Sequence, residues 1–321
     1  MRTSVAVRAG VIAVAAIVIA VLPFAMSDYN RTQGANVGVF FMAILGLNIV
    51  TGYTGQISIG HGAFMAIGGY TTAILTHGHG WNDVATLPIS ALVGFAAGVV
   101  VGVPALRFRG AYLALVTFAV ALAVPQIAKN YSGFTGGTEG LQLPQHTGLW
   151  LYGTAWTCAA ILFVLAWLLL RARTGRALRA VRDSEVAAAS SGVSLAVYKT
   201  AAFGVSAAFA AVAGSIYVLV ISFVNPDVFG LTLSLYILIG AVVGGLGSLW
   251  GVLVGAAFVQ LLPIGLTSSH GLSSQSVPVI FGAIVIVVMA LVPRGAADLL
   301  RIVAALSSRK SQDNPLGLEG R

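Results

Sequence analysis

Long apolar runs separated by short polar breaks dominate the chain. Residues 9–26, 84–106, 150–170, 200–224 and 276–293 each lack Asp, Glu, Lys and Arg. At about 1.5 Å of rise per residue, each can cross roughly 30 Å of hydrocarbon as a helix. The runs are continuous, not alternating in segments of about ten residues as barrel strands do. A helix also pairs its own backbone groups, as a lipid surrounding demands. Adding the runs that glycine clusters interrupt predicts ten crossings: 9–26, 35–50, 59–76, 84–106, 110–128, 150–170, 200–224, 230–246, 250–266 and 276–293. The second, third, eighth and ninth are the most interrupted. The expected fold class is therefore an all-α polytopic membrane protein with about eight to ten transmembrane helices. The first run follows Arg2 and Arg8 and ends at Ala25, Met26 and Ser27, which suggests a secretory signal with a small-residue cleavage site. Its length and the many spans after it favour a retained first helix.

Composition sharpens this picture. Charged residues make up 8% of the 321 positions, against about 25% in soluble domains, and the mean hydropathy is +0.95. A water-soluble fold is excluded. The single cysteine, Cys158, lies inside an apolar run and reads as a small buried hydrophobe, not as half of a disulfide or a metal site.

Charge gives the orientation. If the ten crossings alternate from a cytoplasmic N-terminus, all of the 17 Lys and Arg except Arg31 and Lys129 fall on the cytoplasmic side. That is a strong positive-inside bias. Asp28, Asp83, Glu139 and Asp227 fall on the outer side. The pI near 10.0 thus reflects membrane orientation and contact with anionic lipid, not a nucleic-acid groove. The domain reading is one transmembrane unit over 1–306, with an inner loop at 171–199 and an outer loop at 129–149. A polar tail at 307–321 contains Pro315 and Gly317 and is expected to be disordered. Both termini are expected in the cytoplasm of a multi-pass protein of the cytoplasmic membrane.

Several chemistries are missing from the sequence. No glycine precedes Lys129, Lys199 or Lys310, so there is no phosphate-cradling G-x-x-x-x-G-K-[ST] loop. No carboxylate or basic residue lies within a predicted span, where proton-coupled carriers place their relays. His61 is the titratable group at membrane depth. Sodium coupling through backbone carbonyls stays open. Neither H-E-x-x-H nor G-x-S-x-G occurs, and no catalytic or metal-ligating set is expected. Gly244-Gly245-Leu246-Gly247-Ser248 sits between apolar helices without a βαβ context, which argues against nucleotide binding.

Four segments carry information. The polar, glycine-rich stretch at 51–62 contains Gly55, Gln56, Ser58, Gly60, His61 and Gly62. Irregular backbone at membrane depth survives only inside protein or along a watery path. The stretch therefore reads either as a translocation-path or gating element or as a buried hydrogen-bonded turn. For His61 alone, a satisfied structural hydrogen bond is favoured over substrate contact. The second segment, within 171–199, has good helix formers over 176–190 and a terminator at Gly192. Small Ala187, Ala188 and Ala189 beside Arg179, Arg182, Asp183 and Glu185 suit a short helix docking in a partner's cleft; the alternative is a helix lying on lipid headgroups. In the third, Gly247, Gly251 and Gly255 repeat every four residues, and with Gly244 and Gly245 they read as a helix-packing stripe. The fourth, at 131–140, reads as turns that are either a plain solvent loop or a contact for an external binding protein.

These segments together resemble the LivH/LivM family of permeases from high-affinity branched-chain amino-acid ABC importers, its LivM branch more than its LivH branch. The matching stretches are 45–64, Arg107 to Tyr112, Phe134 to Gly137, 175–192 and 244–251, in the family's order and over roughly 35–295. The resemblance implies an ABC-importer type of permease that is not itself an enzyme and binds no cofactor. ATP would be bound and hydrolysed by two cytosolic partner subunits, alongside a second homologous permease and an extracytoplasmic substrate-binding protein. It implies branched-chain amino acids (leucine, isoleucine, valine) as substrates, and an ATPase-coupling helix at 179–192. In the general importer pattern Glu-Ala-Ala is followed three residues later by Gly. Here Val186 precedes Ala187 and Ala188, which displaces Glu185 by one and weakens its assignment. A related branch carries urea or short amides, and an ion-coupled secondary carrier is the rival from another class. An intramembrane enzyme would need a nucleophile–base or metal set that the sequence lacks.

Overall fold

The computed structural model describes residues 21–105, 108, 110–270, 276–292 and 295. The predicted tail lies outside these residues, and of the predicted first crossing only 21–26 are described, where Leu22–Ala25 forms a 3-10 turn. The nine remaining predicted crossings each correspond to a helix. We label the helices α1 (Asp28–Leu47), α2 (His61–His79), α3 (Asp83–Ala105), α4 (Ala111–Asn130), α5 (Gly148–Arg171), α6 (Arg173–Asp183), α7 (Glu185–Ser190), α8 (Leu195–Ile221), α9 (Leu231–Gly244), α10 (Gly251–His270) and α11 (Val277–Leu291).

Six helical segments are long and apolar enough to cross a membrane, and α10 and α11 contribute shorter apolar helices. These helices make it an all-α polytopic membrane protein. The second crossing starts earlier than its hydropathy suggests. Ser27 caps α1 by accepting from the Asn30 amide at 3.5 Å, and Asp28 pairs with Arg31 at 2.7 Å. The polar turn 28–33 thus belongs to the helix. α2 is not among the six apolar segments, because its histidines, threonines and glycines lower its hydropathy. It needs little lipid compatibility, since α3, α8 and α9 pack around it.

α1 and α8 form the centre. Within an apolar window of 18 residues, 89% are buried in Asp28–Gly52 and 78% in α8, against 22% in Tyr112–Asn130 of α4. α3 and α2 pack on α8, α5 packs on α1, and the α9–α10 hairpin closes the other side of α1. In lipid there is little hydrophobic gain from bringing helices together, so close approach of small residues holds them. Gly94, Gly98 and Gly102 line one face of α3 against Ala211, Ala207 and Phe203 of α8, and a methyl at any of them would crowd that helix. Gly68 of α2 lies against the Ala211 carbonyl and Gly214 of α8 against the Met65 carbonyl. Buried hydroxyls stitch the same faces. Ser215 donates to the Gly68 carbonyl at 3.0 Å and Ser90 to the same oxygen at 3.2 Å, while Thr72 bonds Thr86 and Ser90. The outward faces of α3, α4 and α5 expose Leu92, Val100, Leu115, Leu122, Ile161 and Leu168. Polar side chains inside and apolar ones outside is the distribution a lipid solvent selects.

Three local expectations are corrected. The single helix expected over 176–190 is two. Ser184 is extended (φ −162°, ψ 114°), breaks the chain between α6 and α7, and caps α7 by accepting from the Ala187 amide. Short polar side chains of this kind compete with the helix backbone. The Gly247, Gly251, Gly255 stripe does not share one helix. Gly247 sits in the turn after α9, and α10 begins at Gly251. The close contacts instead run between antiparallel helices, with Gly255 against the Gly240 carbonyl and Gly244 against the Gly251 carbonyl. Within 131–140, expected as turns, Ser132–Thr135 forms a single helical turn, and just beyond it β1 (Leu141–Gln142) pairs antiparallel with β2 (Phe223–Val224).

Candidate functional site

The three segments singled out in the sequence, around 51–62, 171–199 and 244–251, meet at the arginine-rich end of the bundle. α1 does not stop at Leu47. It continues as a π-helical turn, Asn48–Gly52, a wider winding often found at functional positions. Asn48 is buried and faces the turn between α9 and α10. Its amide nitrogen donates to the Ser248 carbonyl at 3.0 Å, and its Oδ1 accepts from the Gly247 amide at 2.7 Å. Gly52 packs so closely on Asn48 and Gly247 that no side chain fits there.

From Gly55 to Gly60 the chain is not helical. Gly55 has φ +72° and opens this stretch, a conformation that glycine adopts without penalty. Thr51 donates to the Gln56 carbonyl at 3.0 Å and the Gln56 amide donates to the Val50 carbonyl at 3.3 Å, folding the segment back on α1. The Gln56 side-chain Oε1 is buried without a hydrogen-bond partner.

His61 then starts α2 and is fully partnered. Its Nδ1 lies 3.2 Å from Ser58 Oγ and its Nε2 2.7 Å from Ser206 Oγ of α8. Ser206 donates its one proton to the Gly46 carbonyl at 2.6 Å, so its oxygen accepts from His61. Nε2 therefore carries the proton, and Nδ1 accepts from Ser58. A neutral, singly oriented imidazole ties α1, α2 and α8 together. The free amides before and at the start of α2 are also taken. Ile59 donates to Thr117 Oγ1 at 3.0 Å, Gly60 to Ser58 Oγ at 3.4 Å, and Gly62 to Ser234 Oγ at 3.0 Å. Hydroxyls from α4 and α9 thus occupy positions where an anion could otherwise sit. The structure brings Ser58, Gly60, His61 and Gly62 into one network and leaves the Gly55 backbone outside it, exposed at the bundle end.

On the loop side, α6 buries Gly175, Ala177, Leu178 and Val181 and exposes Arg173, Arg176, Arg179 and Asp183. In α7, Ala188 is buried while Val186, Ala187 and Ala189 face outward; Val186 is 75% exposed. Gly192, at φ +82°, ends α7: its amide donates to the Ala189 carbonyl and that of Val193 to the Ala188 carbonyl. This reciprocal pattern needs a left-handed residue. Glu185 points back and meets Lys199 of α8 at 2.5 Å, where Lys199 is almost wholly buried. Arg182 donates to the Gly52 carbonyl at 2.8 Å.

At the opposite end, Lys129 pairs with Asp227 at 2.6 Å, and His146 meets Asp83 at 2.8 Å while stacking on Trp150. Among the described residues no group of three His, Cys, Asp or Glu is placed to hold a metal. The sequence reading passed over Asn48, Thr117, Ser206 and Ser234. Each is a lone polar residue in an apolar run, costly in lipid unless partnered, and that cost is the signal that marks them.

Comparison with known proteins agrees with this architecture. Residues 32–292 match the family model described as branched-chain amino acid transport system / permease component. The chain is 32% identical to the high-affinity branched-chain amino acid transport system permease protein LivM of Salmonella typhimurium, over 93% of this chain and 77% of that protein. It is 33% identical to the Escherichia coli LivM permease over 90% of this chain and 75% of that protein. The LivH permease of Salmonella typhimurium is 24% identical over 82% of this chain and 92% of its own length. No solved structure matches the chain. A polytopic helical bundle, matched over most of its length by these permeases, belongs to the branched-chain amino acid transport system permease family.

Proposed function

We propose that this chain is one membrane-spanning subunit of an ATP-driven importer that carries leucine, isoleucine and valine across the cytoplasmic membrane. A second homologous permease completes the pathway. Two cytosolic subunits bind and hydrolyse ATP, and an extracytoplasmic protein delivers the substrate. Residues 1–306 act as one permease unit, and the arginine-rich end with both termini faces the cytoplasm, in keeping with the positive-inside bias. The observation that carries the reading is the outward-facing set of Val186, Ala187 and Ala189 on α7 and Gly192 just after it, with exposed Arg179 and Asp183 on the preceding α6. It offers a small, shallow apolar knob that suits the cleft of a soluble ATPase. Its other side is joined to the bundle through Ala188 and the Glu185–Lys199 pair.

In this reading the segment from Gly55 to Gly62 is part of the gate, and the contacts among Gly240, Gly244, Gly251 and Gly255 keep α9 and α10 moving as one body. ATP binding draws the partner subunits together, α6 and α7 follow, and the path changes the side to which it opens. Each conformation needs only a different affinity for the substrate.

The test is reconstitution of the whole complex in proteoliposomes with radiolabelled leucine and urea. ATP-dependent leucine uptake that an ATPase-dead partner abolishes supports the reading. Uptake that persists without any ATPase and collapses with the sodium or proton gradient overturns it, and urea transport without leucine transport moves the chain to the amide branch.

A further inference from the structure

One arginine of the loop is tied to the bundle although its side chain is 45% exposed and its Nε lies 3.6 Å from Asp183. Arg182 sits in the last turn of α6, and its guanidinium reaches into the bundle end, where Nη1 donates to the Gly52 carbonyl at 2.8 Å. Its stem crosses Gly55, close enough that a methyl there would stand 3.0 Å from Cγ. The same Nη1 lies beside Gly247, 3.2 Å from where a methyl of that residue would be. Gly247 and Ser248 are in turn held by Asn48 from the end of α1. One side chain therefore touches both glycine-rich segments, and the backbone of each is bare at the point of contact. Beneath this knot Thr51, Tyr53 and Thr54 are buried.

We infer that Arg182 is the latch of the arginine-rich mouth: a positioning residue that holds the 52–60 segment against the 245–250 turn and lets go when α6 and α7 are drawn outward. The inference rests on the proposed coupling role of α6 and α7. Its geometry has a directional consequence. α6 carries the guanidinium, whereas Asn48, Gly52 and Gly247 belong to the bundle, so a pull on the loop breaks the Arg182 bond and leaves the Asn48 bonds in place. A charge-assisted hydrogen bond to a carbonyl is among the stronger single contacts, and its loss shifts the open–closed balance by roughly tenfold or more. Arg182 is exposed like Arg173, Arg176 and Arg179, but those three have no such inward contact among the described residues.

The test uses the full chain in open membrane fragments with Cys158→Ser and a reporter cysteine at Thr54, which is 4% exposed. Alkylation by a charged thiol reagent reads whether the mouth opens. With Arg182 intact the reporter reacts slowly. Arg182→Ala raises the rate about tenfold, Arg182→Gln, which keeps the stem over Gly55, raises it in the same sense, and Arg182→Lys returns it towards the starting rate because an ammonium still reaches the carbonyl. Unchanged reporter rates in both Arg182→Ala and Arg182→Gln overturn the latch. So does loss of ATPase-subunit binding in Arg182→Ala with the reporter still slow, since the residue would then serve docking. In the assembled transporter, Arg182→Ala also leaks leucine down its gradient without ATP, and a tight variant refutes the assignment. If reporter rates follow the latch but the parent complex shows no ATP-linked uptake, the transport reading fails and the latch stands.

Discussion

Removing the carboxylate of Glu185 isolates a buried ammonium. Lys199 is 4% exposed at its side chain, and its Nζ lies 2.5 Å from Glu185 Oε1. The pair has little net value compared with two well-packed apolar residues, but breaking it from one side strands a charge, at about 3–5 kcal/mol in a fully buried setting. Glu185 is a quarter exposed, so water softens the loss and the low end applies, about 3 kcal/mol. For a chain of this size that is an apparent Tm about 6 °C lower, at roughly 2 °C per kcal/mol. The measurement is thermal unfolding of the purified protein in detergent at a fixed scan rate, for Glu185→Gln, Lys199→Met, the double variant, and Asp183→Asn as the exposed control. Glu185→Gln is expected to fall well below the control, and the double variant to recover most of the loss because no unpaired charge remains. If Glu185→Gln melts with Asp183→Asn, or if the double variant loses the sum of the two single losses, the pair is not coupled and the reasoning fails.

Further predictions follow from the packing and the hydrogen bonds. Gly214→Ala forces a methyl into the Met65 carbonyl and should cost more than about 2 kcal/mol, in the range of overpacked sites; Gly153→Ala, on an open face of α5 with no neighbour within 4 Å, should raise stability by about 0.5–1 kcal/mol, and the two are compared by detergent melting. Ser206→Ala leaves the His61 Nε2–H without its acceptor and should cost about 1–3 kcal/mol; nitrogen NMR of histidine-labelled protein should show a neutral Nε2–H tautomer for His61 that Ser206→Ala perturbs. Ala187→Arg, on the exposed side of α7, should abolish co-purification with the ATPase subunits while leaving the melting temperature within about 1 °C, as expected of a surface change. Ala188→Arg, on the buried side, should lower folded yield before any partner is added.

The outline of this fold is legible in the sequence because lipid imposes a simple rule. Charge-free runs such as 150–170 and 200–224 have few alternatives to a spanning helix, and the arginines of 171–182 mark one end. What stayed hidden is pairing that depends on which helices meet. Gly94, Gly98 and Gly102 show a four-residue period, yet nothing local says that Phe203, Ala207 and Ala211 oppose them. The register of Gly247 with Gly251 was misread because a four-residue spacing continues unchanged across a turn that ends one helix and starts the next. Ser184 explains the other misreading: amid Arg182, Asp183 and Glu185 it looks like one more polar residue of a helix, and only its extended backbone makes it a cap. At the site, the sequence marked His61 and Ser58, whereas the hydroxyls of Ser206, Thr117 and Ser234 reach the His61 ring, the Ile59 amide and the Gly62 amide from far along the chain. The two-residue ladder of β1 and β2 has no period to read at all.

The modest hydropathy of α2 bears on how the protein is made. That helix leaves the ribosome long before α8, whose Ser206 and Ser215 complete its hydrogen bonds. At ordinary rates of synthesis the wait is on the order of ten seconds. Without α8, the His61 Nε2–H faces either lipid or the insertion machinery, and the Gly68 carbonyl keeps Ser90 of α3 but loses Ser215. The nascent chain therefore has a vulnerable interval in which α2 is held by a cellular insertase or by α3 alone, and truncation before residue 195 should yield a product that quality control removes.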